Sequence, residues 1–315
     1  MKILVVGAGA VGQVYALHLA RAGHEIRFFV KPAHAAGLAG GLTLHRLGRW
    51  HSRPERLQGY GIVTDTAAVA AQAWDQVWLA LSSDALRGEL ATRVLAAVGG
   101  ATVVCLQPGI SDGDHVRRLV APEQVVQGMI PFISFHSPLP GKTGPEGMAF
   151  YLPPLTPTLL AGAPQRVESV KSALRAGGLQ ARVVNDFARA TAASTALFQS
   201  MIATLETNHW QLGSLPGSSV LRQGLAAARE AVAVAAAETG ASTTVLAPFL
   251  RPFIWRLLVP LIRPVFPVDI EVYLQYHFSK VGPQTRTMLD TYIELGRRHS
   301  LPTAAIEQLR RGLGA

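Results

Sequence analysis

Acidic side chains are in short supply in this 315-residue chain. Asp and Glu number 20 against 29 Lys and Arg, a formal net charge of +9. A field of that sign draws in anions. The arginines are scattered, however, and no basic run is interleaved with aromatics, so no nucleic-acid interface is expected. Cysteine is scarcer still, with Cys105 alone. A single thiol excludes an internal disulfide framework, fits a reducing compartment and reads as cytoplasmic. It closes the apolar run Thr102-Val103-Val104-Cys105-Leu106, where a buried, inert thiol is expected rather than a nucleophile. Metal patterns are missing: there is no Cys pair, no H-E-x-x-H and no acidic calcium loop. There is no G-x-S-x-G elbow either, so neither a metal centre nor nucleophilic catalysis is expected. No apolar run reaches the roughly 20 uninterrupted residues of a spanning helix. The short N-terminal apolar run is cut by glycines and does not read as a secretory leader.

What is present is a large apolar fraction. Hydrophobic residues make up 49% and charged residues 16%, enough to bury a sizeable core. At about 150 residues per domain the length suits two domains. The most informative stretch is the first. Lys2-Ile3-Leu4-Val5-Val6 reads as a strand and runs into Gly7-Ala8-Gly9-Ala10-Val11-Gly12, after which 13–21 reads as a helix. In this G-x-G-x-x-G spacing Gly7 permits the tight turn, Gly9 lets backbone approach a pyrophosphate, and Gly12 lets the helix pack on the strand. The phosphates would sit at the helix N-terminus, where free N–H groups and the dipole favour an anion. Gly7, Ala8, Gly9, Ala10, Val11 and Gly12 are therefore the expected cofactor-binding turn.

Further strands are expected at 26–30, 77–81, 103–106 and 125–130, with helices at 66–73 and 83–98 between them. This alternation predicts an α/β domain, a doubly wound, mostly parallel sheet covered on both faces. A short antiparallel excursion is expected within 42–53. Turn-rich segments at 136–142 and 151–157 precede a change of character near Pro164. The expected division is 1–164 for nucleotide binding and 165–315 for an all-helical domain that meets substrate and a second copy in a homodimer. Its helices are expected at 165–176, 186–210, 219–239 and 270–299. His115 and His136 are expected in surface loops. The apolar segment 246–268 carries Arg251, Arg256 and Arg263 and five prolines. It reads as an irregular pocket wall, as cover for an oligomer partner, or as a membrane-surface element, the proline spacing arguing against the last.

An acid at the end of the second strand holds the ribose 2′-hydroxyl of NAD. Here that strand ends Phe28-Phe29-Val30-Lys31-Pro32, with no acid and with Lys31. A lysine at this tip suits a 2′-phosphate, so NADP (NADPH) is the expected cofactor; the plainer alternative is a solvated lysine.

Several short stretches resemble the ketopantoate reductases (2-dehydropantoate 2-reductases). The glycine turn begins at the same place. Lys31-Pro32-Ala33-His34 resembles that family's Arg-Gly-Glu-His turn, whose arginine holds the NADP phosphate. Gln107-Pro108-Gly109 resembles its Gln-Asn-Gly loop, and His299-Ser300-Leu301-Pro302-Thr303 resembles its His-Gly-Ile-Pro-Thr. The resemblance implies an N-terminal Rossmann domain, a helical C-terminal domain, a cleft between them, and hydride transfer from NADPH to a 2-keto acid. It also implies that Ser82 and Pro108, at positions of a family lysine and asparagine, face the cofactor.

The departures fall in the substrate half. The family's catalytic lysine, early in the long inter-domain helix, corresponds to the turn Ala193-Ser194-Thr195-Ala196, and no lysine occurs from Val183 to Trp210. The asparagine one turn on corresponds to Phe198 or Gln199. The C-terminal serine and glutamate correspond to Val272 and Gln284. Hydride addition to a carbonyl leaves an oxyanion that needs a donor or a fixed cation. Gln199, Glu206 and His209 are spaced to share one helix face, with Glu206 orienting His209 as donor; a merely polar face is the alternative. Tyr276, His277 and Lys280 form a second cluster, in which Lys280 would serve as a displaced cation or simply be solvated.

Overall fold

The computed structural model describes residues 1–49 and 51–314; Trp50, Ala315 and the Arg263 side chain lie outside the described residues. The chain divides into two units, Met1–Asn185 and Asp186–Ala315.

The first unit runs β1 (Lys2–Val6), α1 (Ala10–Arg21), β2 (Glu25–Phe29), α2 (Pro32–Ala35), β3 (Leu42–Leu47), β4 (Ser52–Leu57), β5 (Gly61–Val63), α3 (Thr66–Ala70), β6 (Gln76–Leu79), α4 (Ser83–Leu86), α5 (Glu89–Ala97), β7 (Thr102–Cys105), α6 (Asp112–Arg117), β8 (Val125–Gly128), β9 (Ile133–Ser137), β10 (Gly147–Tyr151), β11 (Thr158–Ala161), α7 (Pro164–Ala176) and β12 (Ala181–Val183). Eight strands form one sheet in the order β12-β11-β8-β7-β6-β1-β2-β5, parallel apart from the β11–β8 pairing. β1 lies between β2 and β6, with Val6 opposite both Phe29 and Leu79. The order therefore reverses direction at β1, which makes its C-terminal end the switch point where open α/β sheets bind ligands.

The strands read as unbroken apolar runs because both sheet faces are covered. Ile3, Val5, Phe28, Trp78 and Val104 pack on one side with Tyr15, Leu17 and Leu19 of α1. Leu4, Val6, Phe29, Val77, Leu79, Val103 and Cys105 pack on the other with Val94 and Leu95 of α5. Tyr15 sets its ring 4.9 Å from that of Trp78. A second sheet, β4-β3-β10-β9, includes the expected antiparallel excursion as β3 and β4. Its other strands, β9 and β10, flank the turn-rich segment 136–142, and β10 ends where the second, 151–157, begins. The first unit runs past residue 164 because β12 pairs with β11, so α7 and β12 complete the first sheet rather than open a helical domain.

The second unit runs α8 (Phe187–Thr207), α9 (Ser219–Thr239), a 3-10 turn at Thr244–Leu250, α10 (Pro252–Val265), α11 (Ile270–Lys280), α12 (Gly282–Arg298) and α13 (Ala304–Gly312). Caps set the starts. Asp186 accepts from the Arg189 N–H at 2.9 Å, and Ser218 accepts from the Leu221 N–H at 3.0 Å. Gly240, at φ 68°, ends α9 in the left-handed conformation a helix stop favours. α8 and α9 approach so closely that a Cβ on Gly224 would lie 1.9 Å from Thr204 Oγ1.

Two sequence expectations change here. The 246–268 segment is helical despite its prolines: Pro252 opens α10 where no N–H is needed, and Pro260 and Pro264 are carried within it. It is also mostly exposed, so it is not a pocket wall. His115 lies in α6 and His136 on β9 rather than in loops.

Candidate functional site

The glycine turn sits at the C-terminal end of β1, and each glycine there answers to a separate constraint. Gly7 has φ 100°, and a Cβ on it would lie 2.6 Å from the Ala80 carbonyl oxygen. On Gly12 a Cβ would lie 2.1 Å from the Gly7 carbonyl oxygen, so α1 can start here only without a side chain. Around Gly9 the reverse holds: nothing lies within 4 Å of the position a Cβ would take. The space above Gly9 is open, bounded by the start of α1.

That helix start is bare of side-chain ligands. Gly9 caps it with no side-chain hydrogen bond, and its first turn contains no acid. The first-turn N–H groups and the positive end of the helix dipole thus lie beside open space at Gly9 with no side-chain cap, an arrangement suited to phosphate. Buried Gln13 secures the turn by donating to the Ala8 carbonyl at 2.8 Å. Gly7 N–H donates to the Phe29 carbonyl at 3.0 Å, which couples the turn to the end of β2. Lys31 follows one residue beyond Val30, is exposed, and caps the start of α2 through its backbone.

The neighbouring loops are built around two buried polar side chains that sequence reasoning did not single out as structural. Gln107 donates from Nε2 to the carbonyls of Leu79 at 2.9 Å and Leu81 at 2.8 Å, tying the loop after β7 to the loop after β6. The Cys105 thiol donates to Gln107 Oε1 at 3.2 Å, and burial pushes that thiol up to about 12, so it is inert as expected. Asp112 is fully buried. It accepts from Ser83 Oγ at 2.6 Å, from the Gly109 N–H at 2.8 Å and from Arg87 Nη1 at 2.5 Å. Arg87 in turn donates to the Ser83 carbonyl at 2.8 Å. Ser82 caps α4, accepting from the Ala85 N–H at 3.4 Å, and Pro108 stands exposed on the loop that Asp112 shapes. The only available signal was a pair of charges 25 residues apart, and spacing alone does not connect such a pair.

In the second unit the expected donor face is not assembled. Gln199, Glu206 and His209 share a face only if the helix continues through 209. α8 stops at Thr207, and His209 lies beyond it at φ 53°, exposed. Its backbone N–H donates to the Glu206 carbonyl at 3.0 Å. The Glu206 carboxylate is taken by Arg286 at 3.0 Å, so it does not orient His209. Gln199 is buried, and its Oε1 has no partner among the described residues. Lys280 sets its ammonium 3.5 Å from the centre of the Tyr276 ring, a cation–π contact one helical turn away. Beside it, His277 stacks on Tyr273, and burial followed by the Lys280 charge pulls its ring down to about 4. His277 is therefore neutral at pH 7 and a poor acid.

Most hydroxyls of α8 bond back to their own helix. Thr191, Ser194, Ser200, Thr204 and Thr207 donate to the carbonyls of Phe187, Thr191, Ala196, Ser200 and Thr204 at 2.6–2.9 Å. Thr195 is the exception among them, half-buried and without such a bond among the described residues. One turn on, Phe198 is exposed and packs edge-on against Phe278, with ring centres 5.7 Å apart.

The likeness to known proteins agrees with this geometry. Residues 3–148 match the family model described as ketopantoate reductase PanE/ApbA. Among solved structures, a PanE/ApbA family ketopantoate reductase from Ralstonia eutropha JMP134 is similar, with 20% identity, coverage of 99% of this chain and 97% of that one, and a TM-score of 0.75. A 2-dehydropantoate 2-reductase from Geobacter metallireducens GS-15 has 18% identity, 99% coverage of both chains and a TM-score of 0.75. D-mandelate dehydrogenase, solved with NADH and anilino(oxo)acetate, has 16% identity, coverage of 99% and 97%, and a TM-score of 0.75. No curated protein matches the chain by sequence. Over residues 3–148 the chain carries the signature of the ketopantoate reductase family, and throughout its length it has the ketopantoate reductase fold.

Proposed function

We propose that the protein is an NADPH-dependent oxidoreductase that delivers hydride to the carbonyl or imine carbon of a substrate other than ketopantoate. The observation that carries this reading is the open space over Gly9 beneath an uncapped helix start at the sheet's switch point. The donor set is all backbone N–H, which suits a pyrophosphate. Lys31 at the end of β2, with no acid beside it, supports the phosphorylated nucleotide. The structural neighbour solved with NADH and anilino(oxo)acetate supports hydride chemistry at a carbon next to a carboxylate on this fold.

NADPH, when bound, supplies the hydride; the chain's own part is to hold the nucleotide and answer the charge that develops on oxygen. With no lysine on α8, a neutral hydrogen-bond donor takes that part in this reading. Thr195 is the candidate, since it occupies the turn where the resemblance places the lysine and its hydroxyl is not committed to the helix. Gln199, Glu206, His209 and Lys280 rank behind it, because three are buried or engaged and His209 lies outside the helix. Phe198, exposed where the family has a polar residue, supports a substrate with an aryl or apolar group. A working place in the cytoplasm accords with the single buried thiol.

A second reading, a protein that binds NADP without turning it over, draws on the same lack of a lysine on α8. A third is a 2-dehydropantoate 2-reductase with a rearranged donor. Fluorescence titration with NADPH tests the shared premise. Oxidation of NADPH against 2-keto acids, aldehydes and imines separates the three: rapid turnover of ketopantoate selects the third, and turnover of nothing selects the second. Under the first reading Thr195→Val lowers kcat by about tenfold or more with little change in KM or in NADPH affinity.

A further inference from the structure

The apolar segment of the second unit has a feature that the reductase reading does not use. Exposed large apolar residues recur every fourth position through it: Val245, Phe249, Phe253, Leu257, Leu261 and Val265. On α10 the last four are 52–61% exposed. At 100° per residue they fall within a sector of about 120°, which also holds Pro264, with Pro260 just outside its edge. Val259, on the opposite side of the helix, is buried. Of the residues from 244 to 265 that are described as exposed, only Thr244, Arg251 and Arg256 have polar side chains. A patch of this kind on a water-soluble surface marks a contact.

Charge identifies the other side of that contact. From 239 to 268 the sequence contains three arginines and not one carboxylate. Arg251 and Arg256 are exposed beside the apolar stripe. A second copy meeting this face across a two-fold axis would set arginine against arginine with no acid in the segment to answer it. An anionic surface answers it directly.

The segment is also held in shape. The Trp255 indole donates to the Phe249 carbonyl at 2.9 Å, and Arg229 donates to the Leu250 carbonyl at 2.7 Å, fixing the corner between the 3-10 turn and α10. Among the described residues no single helix is long and apolar enough to cross a membrane. The pieces Thr244–Leu250 and Pro252–Ile262 reach that length only together, and they meet at 85°. Pro260 and Pro264 deprive the carbonyls of Arg256 and Pro260 of helical donors, groups that headgroups and water satisfy and a hydrocarbon core does not.

We propose that the 244–265 element docks the protein peripherally on an anionic phospholipid bilayer, with the Phe253–Leu257–Leu261–Val265 stripe at the acyl boundary and Arg251 and Arg256 on the headgroups. The test is flotation of the purified full-length protein with vesicles of phosphatidylglycerol and phosphatidylcholine, and of phosphatidylcholine alone. The expected result is binding to the anionic vesicles at least about tenfold stronger than to neutral ones, weakened by salt. Arg251→Glu with Arg256→Glu abolishes it. Phe253→Ser with Leu257→Ser and Leu261→Ser abolishes it too, leaving the melting temperature and NADPH affinity unchanged. Failure to float with anionic vesicles overturns the proposal, as does binding that the arginine pair and the triple variant both leave intact. So does a dimer in solution by light scattering that the triple variant converts to monomer, since a second copy then owns the face.

Discussion

At the C-terminal edge of the first unit's sheet, a helix start has no side-chain cap among the described residues; along α8 of the second unit, almost every hydroxyl bonds back to its own helix. The start of α1 is uncapped, with open space above Gly9, while five of the six hydroxyls on α8 bond back to their own helix. One region is arranged to receive a ligand through its main chain. In the other, the polar groups that a sequence reader would enlist are engaged in the fold. A residue's chemical type says what it can do, and its neighbours decide whether it is free to do it.

The sharpest way to break this contrast is at Gly12. A methyl there lies 2.1 Å from the Gly7 carbonyl oxygen, so Gly12→Ala costs about 3 kcal/mol and abolishes NADPH binding, read by urea unfolding and fluorescence titration. Asp112→Ala comes next. It strips Ser83, the Gly109 N–H and Arg87 of their buried acceptor and lowers stability by about 2–4 kcal/mol in the same unfolding experiment.

Gly9→Ala separates folding from binding. At φ −72° and with open space around it, the added methyl changes stability by less than about 1 kcal/mol, yet under the proposed function it stands in the path of the pyrophosphate and weakens NADPH by about tenfold or more. A large loss of stability, or unchanged affinity, would place the phosphates elsewhere. Lys31→Ala is more selective: NADPH affinity falls about tenfold while NADH affinity hardly changes, measured by parallel titrations.

The smallest effect is in pH. The folded His277 ring titrates at about 4, below its unfolded value, so the unfolded state binds the proton first. Stability is then full above about pH 6.5 and falls as the pH drops towards 4, by about 1 kcal/mol at pH 6. Burial holds His18 down in the same direction and adds to the loss. His277→Gln flattens this dependence in urea melts at pH 7.5 and pH 6.

Much of the first unit was legible because its features are backbone features. Gly7, Gly9 and Gly12 announce a turn by the absence of side chains, and the apolar runs announce strands covered on both faces. Gln107 and Asp112 were not legible as struts, since the partners that tie their loops to others, Leu79, Leu81, Ser83 and Arg87, lie 25 residues or more away in sequence. The expected face of Gln199, Glu206 and His209 failed for the opposite reason. Periodicity supplied the spacing, but the left-handed turn at His209 ended the helix first, and Arg286, 80 residues on, took Glu206. The prolines of 246–268 misled in the same way, because N1 placement and an exposed face let α10 carry them.

By itself, then, the sequence determined the α/β alternation, the glycine turn after β1, the lysine at the end of β2 and the lack of one on α8. All of these are properties of local spacing or of residue type, and they hold whatever the surroundings. Tertiary structure decided which polar groups remain unengaged, where the first unit ends, and that the apolar stripe of α10 faces solvent. Those outcomes depend on pairings between distant segments, which carry no local signature in the chain.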